Sequence, residues 1–369
     1  DLRLPLTQQP EQVALAAGAM VDLRERTFQA RRLRFRVPGG TSCPGESYPL
    51  DCPDRFFTDD RLDTGELDLE ENTRQNDGYD ASLSVTGSYL MVDTRPIDTL
   101  RFTIGPRVEV TNQSSSPFNP VARDERAELE GFREFDDLAI LPAALVTYTP
   151  LPKTNLRLAA TRTIARPQLR ELAPFQFADF FGDREVRGNA EPVNTSITNV
   201  DSRFEFFPTA LEVLAVTAFY KHFEDPIEQV IDPSSGAGIV SYVNAESANL
   251  FGIELEARKS LDFIADVLLP LSVITNLTFA HSRVGLGEEA LNLSSRSRPL
   301  SLQAPFVVNA ALDLDLEQTR TRARVQYNVV GARIYQVGTR GLPDVYEQPR
   351  HLLDVTVGQG IGEHVELRA

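Results

Sequence analysis

The stretch Asn199-Val200-Asp201-Ser202-Arg203-Phe204-Glu205-Phe206-Phe207 decides the fold. Val200, Phe204 and Phe206 form its apolar set, while Asp201, Arg203 and Glu205 take the other face. That is the period of two at which a strand sends successive side chains to opposite faces. Moving outward, the pattern recurs in both directions. Ile253, Leu255 and Ala257 alternate with Glu254, Glu256 and Arg258, and Leu312, Leu314 and Leu316 with Asp313, Asp315 and Glu317. Ala323, Val325, Tyr327 and Val329 alternate with Arg322, Arg324, Gln326 and Asn328. Upstream, Leu100, Phe102, Ile104, Val108 and Val110 alternate with Arg101, Thr103, Arg107 and Glu109. None of these segments has the spacing of a helix.

Marking such segments predicts about thirteen strands, joined by two kinds of connection that take turns along the chain. Short links are expected at Arg95–Asp98, Pro150–Lys153, Pro208–Ala210, Glu317–Thr319 and Gln359–Glu363, with a somewhat longer one at Leu261–Pro270. Long ones are expected at Val37–Asp77, Asn112–Asp136, Ala165–Thr195, Glu224–Glu246, Gly285–Pro299 and Gly331–Gln348. Strict alternation puts every long connection at one end of an up-and-down antiparallel sheet, the layout of a transmembrane β-barrel with short periplasmic turns and long external loops. A β-sandwich or adhesin is the rival architecture; its long and short links would occur at both ends.

Composition narrows the classes. Of the 369 residues 41% are hydrophobic, and no apolar run approaches the roughly 18 residues of a membrane-crossing helix. A barrel is compatible with this, because only alternate residues of each strand need face lipid. The net charge of −16 argues against nucleic acid as a partner, since that binding rests on neutralising phosphates. Cys43 and Cys52, set among prolines, read as a short disulfide across a loop tip, the alternative being half of a zinc site. His222, His281, His351 and His364 stand apart from one another, and no Gly-x-Ser-x-Gly, His-Glu-x-x-His or glycine-rich phosphate loop is present. No cofactor, metal site or catalytic residue is therefore expected. The acidic run around Asp59, Asp60, Asp63 and Glu66–Glu71 lacks EF-hand spacing and reads as a solvated loop.

Several phrases resemble those of TonB-dependent receptors. Thr161-Arg162-Thr163-Ile164-Ala165-Arg166-Pro167 is similar to the family's strand end and Arg-Pro entry to a large external loop, and Gly188-Asn189 with Glu191-Pro192 to the return from it. Phe219-Tyr220-Lys221 resembles the next strand's aromatic exit, and Asn249-Leu250-Phe251-Gly252-Ile253-Glu254-Leu255-Glu256 the Asn-x-x-Gly-x-Glu-x-Glu strand. The resemblance implies a receptor in the outer membrane of a Gram-negative bacterium, not an enzyme, importing a small-molecule or oligosaccharide ligand such as an iron chelate or cobalamin. It implies outer-membrane lipid as surroundings and a TonB complex acting through a plug domain. Residues 1–369 read as barrel segment throughout, with plug, TonB-contacting box and closing strand expected to lie outside this chain.

On that reading Arg203, Glu205, Glu254, Glu256, Arg258, Arg322 and Arg324 face the lumen, in contact with plug or ligand or simply pairing with one another. Tyr89, Tyr148, Phe204, Phe206, Phe207 and Tyr327 are placed outward in aromatic belts, although the chain has no tryptophan. The loop from Arg166 to Thr195 is the densest candidate for ligand binding. Phe175, Phe177, Phe180 and Phe181 lie there among Arg166, Arg170, Arg184 and Arg187, and the same phenylalanines could instead pack the loop upon itself.

Overall fold

The computed structural model describes residues 2–6, 13–37, 53–122, 132–177, 184–231, 238–287, 294–295, 297–338, 341–362 and 365–368. Cys43, Cys52, Phe180, Phe181 and His364 lie outside them.

Alternating segments become strands of one wall. In chain order these are β1 (Leu2–Pro5), β2 (Val13–Gln29), β3 (Gly78–Ile97), β4 (Leu100–Phe118), β5 (Arg133–Tyr148), β6 (Thr154–Ala165) and β7 (Thr195–Phe206). They continue with β8 (Val213–Glu224), β9 (Ser247–Ser260), β10 (Leu271–Gly285), β11 (Phe306–Leu316), β12 (Thr321–Val330), β13 (Arg350–Ile361) and β14 (Val365–Arg368). Each pairs antiparallel with its predecessor and its successor, so chain order and sheet order coincide. A two-residue strand, Ser297–Arg298, pairs beside the end of β10 as a fifteenth member. β1 and β14 are not paired with each other, and the wall stays open.

The wall has one strand more than the sequence pattern predicts, and the two strands at its edges are only four residues long. Connections alternate as expected. Short turns close at residues 98–99, 149–153, 207–212 and 317–320, where Lys153 (φ 66) and Arg320 (φ 54) adopt the left-handed conformation that tight reversals require. The link expected at Asn112–Asp136 is shorter than predicted: β4 runs to Phe118 and β5 begins at Arg133. Ser114, Ser115 and Ser116 keep the ladder's hydrogen bonding without any apolar alternation to advertise it.

Register places the polar and apolar sets on opposite faces. Across β6 to β10, Leu158, Ser202, Ala218, Ile253 and Phe279 are successive cross-strand partners on one face. Leu90, Ile104, Leu138, Ile140, Val200, Phe204, Val216, Phe251, Ile253, Leu255, Phe279 and Leu353 are all exposed there. Among the described residues no second sheet covers this apolar face, so the sandwich alternative is not supported. An apolar surface of this extent is far larger than the few hundred Å² that soluble monomers expose. Tyr148, Phe204, Phe206 and Tyr327 stand on it by register, but Tyr89 does not: paired with Arg107 and sharing the parity of Asp93, it lies on the polar face. Phe207 falls in the turn after β7.

Two of the buried apolar clusters lie within the long connections, and two form where a connection packs on the loop-side ends of wall strands, at Tyr79 and Ala81 of β3 and at Ala248 of β9 with Val284 of β10. Small sheets form in the long connections. Leu33–Arg36 pairs with Asp68–Glu71, Arg333–Gln336 with Val345–Glu347, and a four-stranded sheet joins Gln176–Phe177, Val186–Arg187, Val240–Asn244 and Ile227–Ile231.

Candidate functional site: the loop assembly and the polar face

The described residues of the first long connection, 30–37 and 53–77, gather around Phe56 and Leu67, packed with Phe57 and Leu62. Its acidic run has a local use. Glu70 and Glu71 lie across a hairpin from Arg34 and Leu33, and Arg31, Arg34 and Arg36 form ion pairs with Glu71, Glu70 and Asp68. Arg31 accordingly holds the Glu71 carboxyl below the ordinary carboxylate range.

The described residues of the 166–194 loop, 166–177 and 184–194, are folded against the polar face at the outer ends of β3 to β5. Arg166 donates through Nη2 to Glu109 (2.5 Å) and through Nε to Thr111 (3.0 Å), and Gln113 donates to the Pro167 carbonyl (3.0 Å). Next comes the single helical turn Leu169–Leu172. Its start is closed by Glu171, whose carboxylate accepts from the Gln168 amide at 2.9 Å. Burial of this carboxyl pushes its pKa up, against the pull of that hydrogen bond and of Arg170. Leu172 and Ala173 are fully buried. The return strand passes so close that a Cβ on Gly188 would sit 2.0 Å from the Ala173 carbonyl oxygen, so no side chain is accommodated. Asn189 then donates its amide to the Glu171 carbonyl (2.7 Å) and its side chain to the Tyr242 carbonyl (2.9 Å).

These contacts assign separate tasks to the aromatic and basic residues expected to bind ligand. Phe175 is 8% exposed and packs on Phe28 and Tyr79, so it holds the loop down. Phe177 is only half-buried, stacked on Phe175 at 5.8 Å and covered by the Arg170 guanidinium at 4.1 Å. Arg184 donates to the Val337 carbonyl at 2.9 Å, and Arg187 lies in the four-stranded sheet. Arg166 is committed to Glu109.

The loops also hold one another. Arg32 bridges Asp77 (2.7 Å) and the Gln176 carbonyl, and Asn76 donates to Pro174, joining the first loop to the 166–194 loop. Val186 pairs in parallel with Val240 of the 225–246 loop. Glu228 meets Arg298 of the 286–305 loop at 2.8 Å, both nearly excluded from water at 4% and 3% exposure. Ile231, Val240, Ile334 and Val337 bring in the 331–349 loop.

On the polar face the seven charged strand residues divide. Arg203 contacts Glu205 (2.8 Å) and Glu256 (2.6 Å), and Arg157 also reaches Glu205 (3.0 Å). Arg324 and Arg322, on β12, pair with their direct cross-strand partners on β11, Asp313 (2.6 Å) and Asp315 (3.3 Å). Glu254 and Arg258 share the face without joining either group. Sequence reading missed further members. Arg3 and Arg101 converge on Asp93, and Arg107 joins Arg166 at Glu109. Arg107-x-Glu109 had the parity that would have found it. Glu228 and Arg298, in loops without periodicity, offered no signal.

A continuous antiparallel wall, apolar and exposed on one face, charged and self-paired on the other, with every long connection at one end, is the class of an outer-membrane-type β-barrel. The chain belongs to the TonB-dependent receptor family: the family model described as TonB dependent receptor-like, beta-barrel, matches residues 26–369. Solved structures of similar fold include the copper transporter OprC (TM-score 0.61, 13% identity, 97% of this chain and 47% of that one). The ferric citrate transporter FecA in unliganded form is another (0.59, 11% identity, 97% and 46%). A third is the FrpB iron transporter from Neisseria meningitidis, F5-1 variant (0.57, 12% identity, 96% and 47%). This chain therefore spans about half the length of these proteins. No curated protein matches it in sequence. The family is one of receptors and transporters rather than enzymes.

Proposed function

We propose that this chain supplies wall and external loops to an outer-membrane receptor that takes up a scarce ligand with energy delivered by a TonB complex. The observation that carries the reading is the two-faced wall: an exposed apolar face suits lipid, and a charged, hydrogen-bonding face suits a hydrated passage. Arg203, Glu205, Glu254, Glu256, Arg258, Arg322 and Arg324 would line that passage. A plug domain of the kind the family carries would sit against them and couple to TonB. Among the candidate loop residues, the half-buried Phe177, Arg170, Arg184 and Arg187 would contribute to ligand contact, while Arg166 and Phe175 position the loop. The structurally similar proteins are named as carriers of iron, ferric citrate and copper, which supports a metal or metal chelate as the ligand class.

The test is expression of the complete reading frame around this segment, followed by membrane fractionation and electrophoresis with and without heating. A heat-modifiable, detergent-soluble band in the outer membrane is expected. A water-soluble monomer with unchanged mobility would refute the receptor reading.

A further inference from the structure

At its loop-side margin the apolar face changes character along a single register row. Arg162 (β6), Thr198 (β7), His222 (β8), Asn249 (β9) and Arg283 (β10) are successive cross-strand partners. Two residues further from the loops, about 7 Å along each strand, the same face carries Ala160, Val200, Tyr220, Phe251 and His281. Ile253 and Phe279 follow, exposed like Phe251.

The hydrogen bonds within this row leave donors over. Tyr220 Oη donates to Asn249 Oδ1 at 2.7 Å, and His222 Nδ1 lies 2.9 Å from the same oxygen. With its oxygen engaged twice, the Asn249 amide NH2 has no partner among the described residues. Arg283 spends Nε on Ser297 (2.8 Å), and among the described residues no carboxylate lies within ion-pair distance of it. Arg162 differs: Glu224 neutralises it at 2.8 Å and Ser196 accepts from its Nε. Asn249 and Arg283 are thus the focus. As direct cross-strand partners their Cβ atoms stand about 4.5–5.5 Å apart, a spacing at which a guanidinium and an amide NH2 can share one oxyanion.

We propose that Asn249 and Arg283 hold the phosphate-bearing headgroup of a membrane lipid, its acyl chains lying on Phe251, Ile253 and Phe279. Arginine suits phosphate because its planar fork offers two parallel charge-assisted hydrogen bonds. The exposed apolar row directly beneath, Phe251, Ile253 and Phe279, argues for lipid over a free anion, which has no acyl chain to lay on it. The inference rests on the reading of the apolar face as the lipid-facing one.

The experiment is native mass spectrometry of the full-length receptor in detergent, supplied with phosphatidylglycerol or with phosphatidylcholine of the same acyl chains. Wild-type protein should retain phosphatidylglycerol preferentially. The Arg283→Gln/Asn249→Ala variant should lose about tenfold of that retention, the scale of one charge-assisted hydrogen bond. Heat-modifiability of the variant shows that its barrel is intact. Equal retention by wild type and an intact variant would overturn the headgroup site alone, leaving the membrane reading standing. Displacement of the lipid by millimolar inorganic phosphate would reassign the pair to free anions and overturn the lipid assignment. A wild-type protein that forms no heat-modifiable barrel would overturn both.

Discussion

Replacing Glu228 with Gln should loosen two loops at once while leaving the wall intact. Glu228 and Arg298 meet at 2.8 Å with 4% and 3% exposure, so neither charge has water to fall back on. Ser301 also donates to the Glu228 carboxylate (2.9 Å), and Arg298 donates to Ser301 Oγ (2.9 Å) and the Gln229 carbonyl (3.2 Å). Gln preserves the shape and an acceptor, but it strands the Arg298 charge. Removing one partner from a buried pair costs about 3–5 kcal/mol, because the survivor keeps its desolvation penalty without compensation. That cost raises the open population of these loops by about two to three and a half orders of magnitude. Hydrogen exchange at Val230, Ile231 and Val240 in the full-length receptor reads it directly. Exchange there should accelerate, with the paired amides of β8 and β9 unchanged. Adding Arg298→Met should recover much of the loss, since an apolar side chain of similar length carries no stranded charge. Unaltered exchange in Glu228→Gln would refute the reasoning, as would loosening that spread into β8 and β9.

Three further outcomes follow from the geometry. Leu255→Arg, on the apolar face, should destabilise folding into lipid vesicles by about 2–4 kcal/mol, and Glu254→Arg, one residue away on the polar face, by much less; equal costs measured by denaturant titration would contradict the assignment of faces. Gly188→Ala should displace the return strand from Ala173, and limited proteolysis should then cut the 166–194 loop faster while the wall keeps its heat-modifiability. Burial raises the Glu171 pKa in the folded state, so its contribution is fully present below the unfolded glutamate value and is lost as pH rises through the raised folded one. Protection of the Asn189 amide, bonded to the Glu171 carbonyl, should therefore fall over that window in wild type and stay flat in Glu171→Gln.

What the sequence disclosed was whatever repeats every second residue. In Asn199–Phe207 the parity of Phe204 and Glu205 alone separates the two faces, and the pairing of Phe204 with Leu156 and Val216 follows the predicted segregation. Parity carries no information where both faces are polar, which is why Ser114–Ser116 read as loop. Residue type also misleads in mid-strand: Tyr89 looks like a belt residue until its register with Arg107 is known. The fate of the loop phenylalanines was less legible. Phe175 is buried by Phe28 and Tyr79, residues about a hundred or more positions away, and no local pattern encodes a contact of that sequence separation. The same holds for Glu228 and Arg298, whose partnership depends on two loops meeting above the wall.

The lengths of β3 and β4 have a consequence for any ligand approaching from the loop side. A membrane crossing needs about 9–11 residues of tilted strand. β3 has 20 and β4 has 19, and on β3 the apolar-face side chains turn polar from Ser88 toward Asp80. At about 3.4 Å per residue and a tilt near 40°, the surplus raises this hairpin about 20–25 Å beyond the hydrocarbon. On the proposed receptor reading, such a palisade would make an antechamber in which an arriving molecule meets the loop assembly repeatedly before it can diffuse away. Capture there would be a matter of dwell time as much as of affinity.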